Sequence, residues 1–334
     1  MPITFCPSEI SVLLLFNLDF NWSSQEQEDV LRITSQLDRA ITELGYKTTL
    51  VPITANNLDI ALSNYDPLDH IVFNWCEGLP GVEHGEWLVA EYLEQRGFAF
   101  TGASSNTLEL AQDKCRIKQL LGGYGILTPD WQIYDSAVNV RWNRFPAIVK
   151  LSKGHCSEGI DSSAVCTTEA ELNKRIRYIT QEYQQPALVE DFIIGRELHV
   201  SLWGNGSIDM LPPAEMDFSL LNNERDWICT YESKFIPDSE QYKKIKTVLP
   251  ARLSQAERNE IERTCKSAYL VSGCRDYARI DMRIKDGAFY IIDVNPNADI
   301  SSDTSTILAA EISGYNYGAF VDRIIRLAAH RHPI

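Results

Sequence analysis

The sequence predicts an α/β protein of two or three packed subdomains around a cleft, with parallel strands in its first part. Three observations carry that prediction. A chain of 334 residues exceeds what one hydrophobic core usually supports. Short β-type runs alternate with helical patterns through its first third, as parallel strands with crossover helices require. Further on, a second group of strands ends in a hairpin near residues 279–295, which needs no crossover.

Taken in order, ISVLLLF (10–16) is apolar throughout and reads as a first core strand. A helical pattern follows from Ser24 to Leu44, then the strand-like YKTTLVPI and DHIVFN, then a helix from Glu86 to Gln95. Turns at GLPG (78–81) and ILTP (126–129) punctuate the chain before the strands FPAIVKLS and PALVEDFI. After Gly195 come more strands, an irregular polar stretch (219–243), a long helix from Ser254 to about Leu270, the hairpin and a terminal helix near 316–329. Subdomains are expected at 1–111, 112–190 and 191–334.

Composition narrows the class. With 44% hydrophobic and 23% charged residues the chain is ordinary for a globular enzyme, and no apolar run approaches the roughly 18 residues of a membrane span. Net charge is -15, and the densest basic group is Lys243, Lys244 and Lys246, which argues against nucleic acid or an anionic membrane as partner. The eight cysteines form no C-x-x-C pair and the six histidines no H-E-x-x-H, so neither a zinc site nor a disulfide framework is expected. Reduced thiols and an N-terminus without a basic leader or small-residue cleavage site point to a cytoplasmic protein.

The strongest chemical signal is RIDMRIKDGAFYIIDVNPN (279–297). A three-residue loop, Lys285-Asp286-Gly287, would close the hairpin at Ile284 and Ala288 and set Arg279 opposite Asp293. Asp281 and Asn295 then share that face, while Ile280, Met282, Ile284, Ile292 and Val294 form the apolar one. Taken singly, these polar residues also read as the wet side of an amphipathic hairpin. Two carboxylates and an amide oxygen on one patch suit Mg²⁺ beside phosphate oxygens, and Arg279 suits developing oxyanion charge.

Other segments add weaker signals. Lys150 ends an apolar strand and precedes a loop of small residues (152–159) whose backbone N–H groups can approach phosphate. Lys114, in AQDKCRIKQLL, reads by itself as a solvated helix residue. In ALVEDFIIGRELHVSL, Glu190 and Glu197 flank Phe192 and Ile193, a composition suited to a flat base and ribose hydroxyls, and equally to an ordinary connection between strands. No G-x-x-x-x-G-K-[ST] or strand-borne G-x-G-x-x-G occurs, so P-loop and Rossmann nucleotide sites are not expected.

The ordered set FNWCEGLPG, FTGASSNTLELAQDKCRIKQLL, ILTPDW, FPAIVKLSKGHCSEG, LVEDFIIGRELHVSL, YESKF, ARIDMR and IIDVNPN resembles the D-alanine:D-alanine ligase branch of the ATP-grasp superfamily, from about residue 69 to 329. The resemblance implies a three-subdomain fold, an N-terminal α/β domain plus two antiparallel-sheet subdomains with ATP between them. It implies ATP contacts from Lys114, Lys150, Ser157, Glu190, Phe192, Ile193, Glu197 and Lys234, with two magnesium ions on Asp281, Asp293 and Asn295. Arg279 and Lys234 become the catalytic residues, and Glu77, Ser301, Ser302 and Asp303 the substrate-binding candidates.

The implied reaction is ADP-forming ligation of a carboxylate to an amine through an acyl phosphate, with small-molecule amino-acid and carboxylate partners; homodimerisation stays open. This chain departs from the family on the substrate side. It lacks the glycine-rich G-G-x-S-x-E stretch, carries Cys156 and Phe235 where the family has serine and tyrosine, and places Asp299 near the usual oxyanion-hole glycine. Those departures favour a specialised substrate, such as the mycosporine-glycine core used by similar ligases, over D-alanine. A silent ATP-binding module is the rival of another class.

Overall fold

The computed structural model describes residues 10–54, 57–82, 84–154, 157–230, 232–233, 236 and 238–333. Its first sheet contains β1 (Ser11–Asn17), β2 (Lys47–Ile53), β3 (His70–Trp75) and β4 (Ala99–Phe100), parallel and in the order β2-β1-β3-β4. The crossovers carry α1 (Ser24–Glu43), α2 (Leu58–Leu62) and α3 (Glu86–Gln95). β1 is apolar throughout because both its faces are covered. Val12 and Leu14 pack with Leu37 and Ile41 of α1, while Leu13 and Leu15 pack with Val89 and Leu93 of α3. Helix α1 starts where Ser23 and Glu26 form a reciprocal capping box.

Because β2 and β3 flank β1 on opposite sides, the connections diverge beyond the carboxyl ends of β1 and β3 and leave a crevice there. Asn17 closes its floor, donating to the Gly78 carbonyl at 2.8 Å and accepting from the Glu77 amide at 2.8 Å.

Two short helices follow, α4 (Ser105–Gln112) and α5 (Lys114–Gly123). The break between them is Asp113, which leaves helical geometry and caps α5 by accepting from the Cys115 and Arg116 amides at 3.1 and 3.0 Å. That cap makes Lys114 the first residue of a helix rather than the middle of one. Helix α5 packs Ile117 and Leu121 into the core of the largest sheet, not against the central strands that follow it in sequence.

The central sheet is antiparallel, with β5 (Trp131–Tyr134), β6 (Ala147–Leu151), β7 (Val165–Cys166) and β8 (Ala187–Asp191) in the order β5-β8-β6-β7. Helix α6 (Glu169–Glu182) covers one face, where Leu172, Ile176 and Ile179 meet Val149 and Val189. By alternation, Ile148, Lys150, Leu188 and Glu190 belong to the other face.

The largest sheet is also antiparallel, with path β12-β11-β9-β13-β14 and β10 paired to β9. Its strands are β9 (Arg196–Trp203), β10 (Asp209–Met210), β11 (Ala214–Asp217), β12 (Lys246–Val248), β13 (Tyr277–Lys285) and β14 (Ala288–Asn295). Helix α7 (Glu240–Lys244) precedes β12, and α8 (Gln255–Val271) covers the apolar face with Ile261, Cys265 and Tyr269. The linker 192–195 leads directly from the central sheet into β9, and a side chain at Gly195 would collide with the Ile284 carbonyl of β13. Helices α9 (Ser305–Ile312) and α10 (Tyr317–Ala329) turn back, so that Phe320, Val321 and Ile324 share a core with Val12 and Leu14. Among the described residues no helix is long and apolar enough to cross a membrane.

Candidate active site

The hairpin brings its polar residues together by a route different from the expected one. Lys285 pairs with Ala288 across a two-residue turn, Asp286-Gly287, with φ of +50° and +77° as in a type I′ turn. Continued regularly, that register would turn Asp293 and Asn295 toward the core. A bulge at Ile292 inserts one residue and reverses the parity, giving the pairs Asp281 with Asp293 and Arg279 with Asn295. The expected closing pair, Ile284 with Ala288, and the expected pair Arg279 with Asp293 are therefore corrected, while the four side chains share one face. Ile291, 1% exposed, takes the core position assigned to Ile292.

On that face Arg279 grips Asp281 with two bonds, Nε to Oδ1 at 2.6 Å and Nη2 to Oδ2 at 2.9 Å. Asn295 Nδ2 donates to Asp281 Oδ2 at 3.1 Å. Burial opposes the charge on Arg279, but Asp281, aided by Asp293, more than compensates and holds its pKa above the usual guanidinium value. Each carboxylate oxygen has a second lone pair, and Asn295 contributes an amide oxygen, so the donors are all hard oxygens of the kind magnesium prefers.

The central sheet and α5 supply cations. Lys150 Nζ donates to Glu190 Oε2 at 2.8 Å, and Lys118 Nζ lies 3.0 Å from Glu190 Oε1. Lys114 Nζ donates to the Gly154 carbonyl. Burial lowers the Lys114 pKa, the Asp293 charge opposes that shift and the Lys150 ammonium adds to it. Burial would raise the Glu190 pKa, but Lys118 and Lys150 together pull it below the usual carboxylate range. Glu190 is thus an ionised clasp on two lysines, hydrogen-bonded to Lys150 and ion-paired with Lys118.

Glu197 is similarly committed. Arg283 Nε and Nη2 donate to its Oε2 at 2.9 and 2.5 Å, and His199 Nε2 stands 3.8 Å from Oε1. Burial would raise its pKa, yet Arg283 and His199 hold it well below the usual carboxylate range. Phe192 is buried with Ile148 and Ile228, and the Ile193 carbonyl accepts from Arg283 Nη1 at 2.7 Å. Ser157 donates to the Cys229 carbonyl at 2.9 Å, tying the small-residue loop to the segment after β11. Lys234, with Cys156 and Phe235, lies outside the described residues.

The substrate candidates are scattered. Glu77 stands at the crevice mouth, its pKa raised by burial and by Asp299. Ser301 is occupied by Asp299, which accepts from its amide and hydroxyl at 2.8 and 2.7 Å, while Ser302 and Asp303 are exposed. Beside Glu77 the structure adds Glu86, which accepts from Asn297 Nδ2 at 2.8 Å; burial pushes its carboxyl to about 8 despite that bond, with the Glu77 charge adding to the shift.

Sequence reasoning missed Lys118, His199, Arg283, Glu86 and Asn297. Three of them carried a local signal. Lys118 is one helical turn beyond Lys114, and His199 and Arg283 continue the parity of Glu197 and Asp281. Glu86 and Asn297 meet from distant segments, which no local pattern announces.

A parallel α/β sheet followed by two antiparallel sheets, one carrying the lysine cluster and the other the polar hairpin, is the fold of the ATP-grasp ligases. The family model for the D-ala D-ala ligase C-terminus matches residues 126–326, more than half of the chain, and the protein belongs to that family. An uncharacterised Sinorhizobium fredii protein, y4sG, is 29% identical over 309 residues, covering 90% of this chain and 88% of its own. A D-alanine–D-alanine ligase of Marinomonas is 28% identical over 311 residues, covering 91% and 92%. The crystal structure of a Bacillus anthracis D-alanine–D-alanine ligase complexed with ATP shares the fold, with a TM-score of 0.73, 18% identity, and 96% and 98% of the two chains covered.

Proposed function

We propose that the protein joins the carboxylate of a small substrate to the amine of an amino acid, spending ATP through an acyl phosphate and releasing ADP and orthophosphate. What supports the reading is a pair of features: Glu190 holds Lys150 and Lys118 beside Lys114, on which the Asp293 charge acts, and the hairpin gathers hard oxygen donors on one face, the two kinds of group that a nucleotide's terminal phosphates and their magnesium require. Lys114 and Lys150 bind phosphate oxygens, and Glu190 holds Lys150 in place. Lys234 supplies a further phosphate contact, and Ser157 with Phe192, Ile193 and Glu197 encloses the rest of the nucleotide. Asp281, Asp293 and Asn295 hold magnesium, which when bound neutralises charge on the transferring phosphoryl group. Arg279, fixed by Asp281, offsets the charge that develops on the acyl oxygen as the amine attacks. The subdomain boundaries near 111 and 190 make 191–195 the connection between the two nucleotide-binding sheets.

The relatives named D-alanine–D-alanine ligase support D-alanine as substrate. The acidic crevice with Glu77, Glu86 and Asp299 supports a specialised amino-acid partner, a mycosporine-type core being one candidate acid. A panel of amino acids and carboxylates, read by ADP release and mass spectrometry of the product, separates them. Turnover with D-alanine alone selects the first, and AMP formation with a competent pair would sink the acyl-phosphate route. Asp293→Ala should abolish metal-dependent ADP formation.

A further inference from the structure

Arg283 lies on the cleft face of β13, two residues beyond Asp281, and is only 3% exposed. An arginine this buried must satisfy its fork of donors, and the partners it has chosen come from three separate segments. It grips Glu197 Oε2 on β9 with two bonds at 2.9 and 2.5 Å. It donates to the Ile193 carbonyl in the linker at 2.7 Å, and to the Trp227 carbonyl in the segment that continues to Cys229. Its guanidinium carbon lies 4.8 Å from the Phe192 ring centroid and 5.7 Å from that of Phe218, which is itself stacked on Trp227 at 6.4 Å and 10°. One planar group thus fixes the linker, the Glu197 carboxylate on β9 and the segment around Trp227.

We propose that Arg283 is the positioning residue for the base and ribose end of the nucleotide. It acts through Glu197 and the 192–193 backbone, not through the phosphates, and the proposal rests on the ATP reading above. The geometry demands a fork, because three acceptors in different directions and two ring faces are served by one rigid plane. A lysine keeps the charge but cannot reach all of them.

The test compares wild type, Arg283→Lys and the charge-neutral double variant Arg283→Met/Glu197→Gln, the last guarding against an unpaired buried carboxylate. Binding of a non-hydrolysable ATP analogue with Mg²⁺, and of inorganic tripolyphosphate with Mg²⁺, is measured by calorimetry beside thermal melts. The expected result is nucleotide affinity weakened by about tenfold or more in both variants, with tripolyphosphate affinity unchanged. Equal nucleotide affinity in Arg283→Lys and wild type would overturn the proposal, as would parallel loss of nucleotide and tripolyphosphate binding, which marks a merely structural strut. Failure of the wild type to bind nucleotide at all would instead remove the ATP reading, and this proposal with it.

Discussion

Glu190→Gln is the perturbation that most directly tests how the cationic cluster is held. The carboxylate is 1% exposed and touches two ammoniums, Lys150 at 2.8 Å and Lys118 at 3.0 Å, and Lys118 is itself only 3% exposed. Removing one partner of a buried ion pair typically costs about 3–5 kcal/mol, because a desolvated charge is left uncompensated. Here the amide keeps a hydrogen-bond acceptor, so about 3 kcal/mol is the expected loss, a large share of the roughly 5–15 kcal/mol that holds a domain folded. With a urea slope near 3 kcal/mol per molar, the unfolding midpoint should fall by about 1 M.

The pH dependence supplies the discriminating readout. Burial already lowers the Lys118 pKa, and Glu190 works against that shift. Without Glu190 the folded pKa drops further while the unfolded chain titrates normally. The folded variant then binds fewer protons than the unfolded one, so its stability rises with pH until the unfolded lysine also loses its proton. The variant should therefore recover toward wild type as pH rises toward the ordinary lysine value of about 10.4. A midpoint equal to wild type, or a deficit that does not shrink as pH rises, would refute the view that the triad is an electrostatic clasp.

Two further outcomes follow from the crevice between the first sheet and the 296–305 segment. Glu86 keeps its proton up to about pH 8 in the fold but titrates near 4.5 when unfolded, so its contribution to stability is lost as pH rises through that interval. Glu86→Gln should therefore gain in melting temperature relative to wild type as pH moves from 5 toward 8; a constant difference would show that the carboxyl is not desolvated. Gly102 has φ +90°, and a side chain there would overlap the Asn297 amide oxygen that accepts from the Ala103 amide at 2.9 Å. Gly102→Ala should cost about 1–3 kcal/mol in chemical denaturation and raise the Glu86 pKa further by freeing Asn297 from it, whereas an unchanged titration would show that Asn297 does not tune Glu86.

Much of the fold was legible because its signals are local. The apolar run of β1, the Glu86–Gln95 helix and the amphipathic helix near 254–271 follow from periodicities of two and 3.6, which burial on one or both faces imposes directly on the sequence. The polar residues of β13 and β14 were legible as a set sharing one face for the same reason, although the hairpin reaches that set through a type I′ turn and a bulge that cancel one another's parity. Nothing in the spacing of Asp281 and Asp293 distinguishes one extra residue in the loop from one extra residue in the strand.

By itself, then, the sequence determined the element types, the polar face of the hairpin and the ligase resemblance, since each depends on residues close along the chain. Only the tertiary structure decided which charges meet. Glu190 became a clasp for Lys118 and Lys150, Glu197 was claimed by Arg283, α5 joined the core of the largest sheet, and Glu86 met Asn297 across 211 positions of sequence. The reason is physical: a buried charge takes whichever opposite charge or dipole the packing of distant apolar faces sets within about 3 Å, and that choice leaves no periodic trace in the chain.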